Sequence, residues 1–262
     1  MAGSLQIARI AGIPIRLHWS FVLTLAIFSF RPESSVLESA VYVCLLFGCI
    51  LLHELGHSLM ARQFGISTTS IVLMFVGGVA ILRGKTKPMQ ELWIALAGPF
   101  VSLLISIGLL IYMQVSPTEY DLFFEKSRGS IRWDNMLVYL FWGNLLLFLF
   151  NLIPAFPLDG GRALRAILSM ATDEKIGTRI SVGVGQVLAV VLFLVGAATQ
   201  EYTLVFVAFL VFLGASSELN RVVSRSALDG RLAREAMMTS LFTMRTGDTL
   251  LTARNVLFQS SQ

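Results

Sequence analysis

A chain of 262 residues that is 55% hydrophobic and only 14% charged, with a mean hydropathy of +0.75, is not composed like a water-soluble domain, in which about a quarter of residues carry charge. Its apolar residues come in long unbroken runs rather than amphipathic stripes, which excludes a large soluble domain with a greasy core. A net charge of +4 is too small to argue for a nucleic-acid partner.

Six apolar segments follow in chain order, at 17–30, 36–60, 92–115, 136–158, 180–199 and 202–218. A membrane-spanning helix needs about 20 residues, so the expected fold is an α-helical polytopic membrane protein with about six transmembrane helices. The N-terminus lacks the pattern of a cleavable signal peptide. His18 and Trp19, at the start of the first segment, read as an interfacial anchor, with a gate or a fourth metal ligand as the lesser alternative. Cys44 and Cys49 share the second segment and point in different directions on a helix, so they read as packing residues rather than a disulfide. Between the second and third segments, residues 67–82 are apolar and β-prone and are interrupted by Gly77 and Gly78. This predicts a membrane-associated β-hairpin, lying against protein or a water-filled cavity because an open sheet edge cannot face lipid. The fifth and sixth segments are separated only by Gln200 and Glu201, as in a tight helical hairpin. With six spans the two termini share a side. Placing them inside puts 16 of the 20 Lys and Arg residues there, so both termini are expected in the cytoplasm. Residues 1–225 are read as the membrane domain. Residues 226–262 are read as a linker and the start of a small α/β domain that stops short, since about 30 residues cannot bury a core.

The chemistry begins at His53-Glu54-Leu55-Gly56-His57. Histidines at i and i+4 share a helical face and can grip one zinc ion, and the glutamate beside the first can act on a metal-activated water. Ionisable residues near the end of an apolar span are functional by default, because lipid makes them costly. Counting from Val36, His53 lies about 26 Å along the second helix, toward the cytoplasmic leaflet. A catalytic zinc usually has three protein ligands. The third could be Glu91, but Asp159 is the better candidate. It follows Pro154 and Pro157, which interrupt the fourth span, and it precedes Gly160, Gly161 and Arg162.

Taken together, His53-Glu54-Leu55-Gly56-His57, Gly77-Gly78, Ala97-Gly98-Pro99 and the segment Asn151-Leu-Ile-Pro-Ala-Phe-Pro-Leu-Asp-Gly-Gly-Arg162 resemble the site-2 protease family of intramembrane zinc metalloproteases, in family order over residues 1–225. The resemblance implies one Zn2+ per chain on His53, His57 and Asp159, with Glu54 as the catalytic carboxylate. It implies that Asn151 holds the substrate or its transition state and that Gly77 and Gly78 contact the substrate. It implies a membrane-protein substrate such as an anti-sigma factor, a pro-sigma factor or a membrane-tethered transcription factor, in a prokaryotic plasma membrane. Ala233 to Thr239, followed by Asp248-Thr-Leu, resembles the beginning of a CBS domain. A complete CBS domain would bind a nucleotide, which is not expected of this incomplete one.

A transmembrane substrate must be extended before a peptide carbonyl can be attacked. The hairpin could supply a strand edge for it, which proline substitutions along Val72–Val76 would test. Two rival readings are a zinc-binding membrane transporter and a catalytically inactive membrane scaffold. The transporter reading calls for polar residues along a path at mid-membrane, and the other segments are nearly free of them.

Overall fold

A computed structural model describes residues 3–29, 34–75, 77–84, 86–122, 130–228, 249–251 and 254. The chain divides into two units, Met1–Asn220 and Arg221–Gln262. The expected linker and CBS segment, 226–262, lies outside the described residues apart from 226–228, 249–251 and 254.

The first unit opens with strands β1 (Ser4–Ile10) and β2 (Ile13–His18), followed by a short helix α1 (Ser20–Ser29) and the long helix α2 (Val36–Gln63). A second strand pair, β3 (Ser67–Met74) and β4 (Gly77–Arg83), leads into α3 (Pro88–Val115). Four further helices follow: α4 (Met136–Leu152), α5 (Asp159–Ala171), α6 (Glu174–Thr199) and α7 (Tyr202–Leu228).

Among the described residues, four helices are long and apolar enough to cross a membrane: α2, α3, α6 and the Tyr202–Asn220 part of α7. At 1.5 Å per residue the 28-residue helices α2 and α3 extend about 42 Å, more than the roughly 30 Å hydrocarbon core. The other two expected spans are shorter. Residues 17 and 18 belong to β2, which leaves α1 ten residues. The 17-residue α4 ends at Leu152, two residues before Pro154, because proline can neither donate nor fit in a helix interior. Large apolar side chains such as Val187, Leu194 and Phe209 are exposed on the outer faces of the long helices, as lipid contact requires. With its apolar spans the chain is a membrane protein.

Helix starts follow their local chemistry. Ser35 accepts a hydrogen bond from the Glu38 amide while the Glu38 carboxylate accepts from the Ser35 amide, a reciprocal cap that fixes where α2 begins. Pro88 opens α3 at a position where a missing N–H costs nothing.

The four strands form one sheet in the order β1-β2-β3-β4. The expected hairpin is present: β3 and β4 are antiparallel, with Met74 opposite Gly77 and Leu73 opposite Gly78. Gly77 and Gly78 are the first residues of β4 rather than the turn itself. The sheet is larger than the sequence suggested, because β2 adds in parallel to β3, Ile15 opposite Ile71. Its buried side chains, Ile13, Ile15, Ile71 and Leu73, pack on Tyr42, Val43 and Phe47 of α2. The sheet therefore lies alongside the helix that carries the histidines.

Close approach of α2 and α3 comes from small residues. A side chain on Gly56 would meet the Ala97 carbonyl at 2.9 Å, the small-residue packing that lets membrane helices touch through their backbones. Gly98, Ser102 and Ser106 repeat at four-residue spacing along α3, and Ser106 Oγ donates to the Ser102 carbonyl.

Candidate metal centre

Three donor atoms converge between α2 and α5. The Nε2 atoms of His53 and His57 are 3.2 Å apart, and Asp159 Oδ2 lies 3.2 Å from the first and 3.1 Å from the second. The histidines face the same way because they are four residues apart on one helix. Asp159 reaches them because it is the first residue of α5, and Gly160 beside it lets the carbonyls of Leu152 and Ile153 come close. Both histidines are 3% exposed, so their polar atoms depend on these partners.

The triangle can be tested against an ion. Tetrahedral zinc with bonds of about 2.0–2.1 Å needs its ligand atoms about 3.3 Å apart. Edges of 3.1–3.2 Å match one face of that tetrahedron, and two imidazole nitrogens with one carboxylate oxygen form a donor set that zinc takes. The protonation pattern also fits. His57 Nδ1 lies 2.6 Å from the Ile94 carbonyl, which can only accept, so Nδ1 carries the proton and Nε2 keeps a free lone pair. His53 Nδ1 pairs with Ser102 Oγ at 2.9 Å, and when Ser102 accepts, its Nε2 is likewise free. Both orienting groups come from α3, so three helices build the centre.

Partners of this kind hold a ligand's tautomer and ring plane, and losing one typically lowers metal affinity about 10–100-fold. Ser102→Ala is expected to weaken zinc binding by about that factor, read by competition with a chromophoric chelator. Affinity unchanged within threefold would remove Ser102 from the site.

The remaining candidates fall as follows. Glu54, next to His53 on α2, lies outside the triangle, and its Oε2 accepts from the Ala80 amide of β4 at 2.9 Å. Gly78 is pressed against it: an added Cβ would sit 2.6 Å from Glu54 Cγ. Gly77 opens the same strand at φ +140°. Asn151, near the end of α4, donates to the Leu147 carbonyl of its own helix at 2.9 Å. Glu91, the other possible third ligand, is taken up elsewhere, since its Oε1 accepts from the Arg165 guanidinium, from Nε at 3.0 Å and from a terminal nitrogen. His18 pairs with Ser20 Oγ at 2.8 Å, outside the three-ligand group. Arg162 lies 3.5 Å from Asp159 Oδ1, the oxygen the histidines do not use.

Sequence reasoning missed Ser102 and the Ile94 carbonyl. The four-residue run Gly98, Ser102, Ser106 was a usable signal, since small residues on one helical face mark where another helix comes close.

Helices of spanning length around a buried group of two histidines and a carboxylate define a membrane-embedded metalloprotein. Residues 41–195, more than half of the chain, match Peptidase family M50, and the chain belongs to that family, whose members include the site-2 proteases. It is 38% identical over 237 residues to zinc metalloprotease MJ0392 of Methanocaldococcus jannaschii, covering 90% of this chain and 66% of that protein. It is 29% identical over 265 residues to Rip3 of Mycobacterium tuberculosis, covering 90% and 64%. The chain thus spans just under two thirds of the length of these curated relatives. Its fold is similar to the solved structure of the site-2 protease from Methanocaldococcus jannaschii, with a TM-score of 0.64 and 35% identity over 93% of this chain and 100% of that one.

Proposed function

We propose that this protein is an intramembrane zinc metalloendopeptidase, hydrolysing a peptide bond in or near a transmembrane segment of a membrane-tethered regulatory protein. The observation that carries this reading is the 3.1–3.2 Å triangle of His53, His57 and Asp159 with a carboxylate, Glu54, beside it and outside the ligand set. A bound zinc supplies Lewis-acid chemistry there, acidifying a water and polarising a carbonyl. Glu54 takes the proton of the attacking water and returns it to the leaving amine. The Ala80 amide holds one of its oxygens and leaves the other for that exchange. Asn151 spends one amide hydrogen on Leu147 and has a second to offer the substrate carbonyl as charge develops.

The substrate strand pairs with β4. The stretch Val72–Val76 offers no edge over its described residues, because residues 72–74 lie in β3, flanked by β2 and β4. β4 is the edge strand that runs beside Glu54. The missing side chain of Gly78 leaves space for Glu54, and Gly77 has nothing within 4 Å of where its Cβ would be, which gives an incoming backbone room. A segment added there brings its carbonyls to the catalytic residues.

In the proposed topology α1 and α4 complete six passes, both termini are cytoplasmic and the site lies toward the cytoplasmic leaflet of a prokaryotic plasma membrane. The shared sheet supports part of this, since β1 and β2 must lie on the same side as β3 and β4 to pair. Residues 1–225 form the protease domain, and 226–262 open a CBS segment. Reporter fusions at the two ends check the orientation.

Elemental analysis of detergent-purified protein, paired with cleavage of a membrane-spanning reporter, tests the function. Wild type is expected to hold about one zinc per chain and to cleave. Asp159→Ala loses both, and Asn151→Ala and Gly78→Ala keep zinc but cleave about 10–1,000-fold more slowly. A wild type without zinc after zinc is supplied would remove the protease reading and leave a scaffold.

A further inference from the structure

Arg165 is buried, at 9% exposure, in a chain whose described residues include four helices long and apolar enough to cross a membrane. Its guanidinium joins three elements: the Glu91 carboxylate of α3, the Glu218 carboxylate of α7 at 2.8 Å, and the ring of Phe156, whose centroid lies 5.0 Å from its central carbon. None of these residues belongs to the metal triangle, and Glu91 is itself buried. Withdrawing Glu91 and Arg165 from water, with Glu218 partly withdrawn beside them, is costly in a membrane protein unless their geometry is closely matched.

The triad's position along the helices gives it a role. Asp159 begins α5, and Arg165 follows six residues on, about 9 Å further along the axis. The N-cap of α5, Leu158, makes no side-chain hydrogen bond to secure that end of the helix. On α3, Glu91 stands three residues before Ile94, whose carbonyl fixes His57, and Ser102, which pairs with His53, lies on the same helix. The Glu91–Arg165 pair therefore ties the helix that orients the two histidines directly to the helix that delivers the third ligand. A rigid helix pinned at Arg165 has little freedom to swing Asp159 away from two nitrogens only 3.1 and 3.2 Å distant.

We propose that Arg165, clamped between Glu91 and Glu218, is the positioning residue of the metal centre, holding α5 so that Asp159 meets His53 and His57. This rests on the metal reading of those three residues. The planar fork of arginine serves two carboxylates at once, whereas a lysine ammonium is a single point charge. Lysine is expected to restore the site only in part. The clamp also makes α7 a participant, since Glu218 supplies its second carboxylate.

The test uses the full chain in detergent, comparing wild type with Arg165→Met, Arg165→Lys and the near-isosteric Glu91→Gln. Zinc affinity is read by chelator competition, the geometry of the cobalt-loaded site by its visible absorption, and stability by the melting midpoint of metal-stripped protein. Positioning predicts that Arg165→Met and Glu91→Gln weaken zinc binding about 10–100-fold and lower the tetrahedral cobalt band, with Arg165→Lys in between. Should Arg165→Met fail to fold, Glu91→Gln carries the comparison. Zinc affinity and cobalt spectrum unchanged in Glu91→Gln while the stripped protein melts lower would make the triad a purely structural tie and overturn the proposal. Wild-type protein that binds no zinc would overturn the metal reading, and the proposal with it.

Discussion

Glu54→Gln is expected to keep about one zinc per chain and to lower peptide cleavage by about 100–10,000-fold, the range in which a general acid–base group contributes. The separation follows from geometry. Glu54 is adjacent to His53 in sequence but outside the triangle, so the amide leaves all three ligand atoms in place. Glutamine has the same shape, and its carbonyl oxygen can still accept from the Ala80 amide, so β4 keeps its seat. What is lost is the ability to take a proton from water. Zinc content and reporter cleavage measured on one preparation decide the matter. A transporter would be indifferent to this substitution, so retained zinc with unchanged cleavage would end the assignment of Glu54 and weaken the protease reading.

Gly98→Ala is expected to raise the zinc dissociation constant by more than about 100-fold, beyond the usual loss for a supporting residue, although glycine coordinates nothing. An added Cβ would fall 2.2 Å from His57 Nε2 and 2.7 Å from His53 Nε2, inside the two atoms that must face the ion. The rings cannot step aside cheaply. Each is held through its Nδ1 by a group on α3 itself, Ile94 or Ser102. Nor can the helix back away, because Ala97 is packed on Gly56 of α2. Gly108 on the same helix has nothing within 4 Å of its would-be Cβ, so Gly108→Ala is the control. It is expected to bind zinc normally and to gain slightly in helix propensity. Equal zinc affinity in both variants would show that the α3 backbone does not close the site.

These effects bear on what the sequence could and could not announce. The long spans were legible because lipid imposes a crude length requirement. The expected 36–60, 92–115, 180–199 and 202–218 correspond to α2, α3, α6 and α7. β1 and β2 were missed. Ile13, Ile15 and Leu17 alternate with Pro14, Arg16 and His18, the period-two pattern of a strand, but the apolar run that follows absorbed its end. The helix α5 was not expected, because Pro154 and Pro157 before it and Gly160 and Gly161 at its start mark a break in the chain, although its first residue is Asp159. The histidine pair needed only the helical repeat, and Asp159 could be argued from the prolines before it. The sequence context favoured Asp159 over Glu91, but what occupies Glu91 is a partner 74 residues away in sequence, and local pattern carries no trace of that pairing. The same holds for Ser102 and His53, 49 residues apart.

The parallel pairing of β2 with β3 has a consequence for biogenesis. Ile15 and Ile71 are neighbours in the sheet, yet α1 and α2 are synthesised between them. The N-terminal ribbon therefore emerges first and must wait, and an isolated two-stranded ribbon is marginally stable in water. The sheet can close only after α1 and α2 have been made and β3 has followed them. Until then β3 would present an unpaired row of amides and carbonyls, the kind of edge on which chains aggregate. Strands β1 and β2 act late, covering the free edge of β3 once α1 and α2, which separate them from it in the chain, are in place.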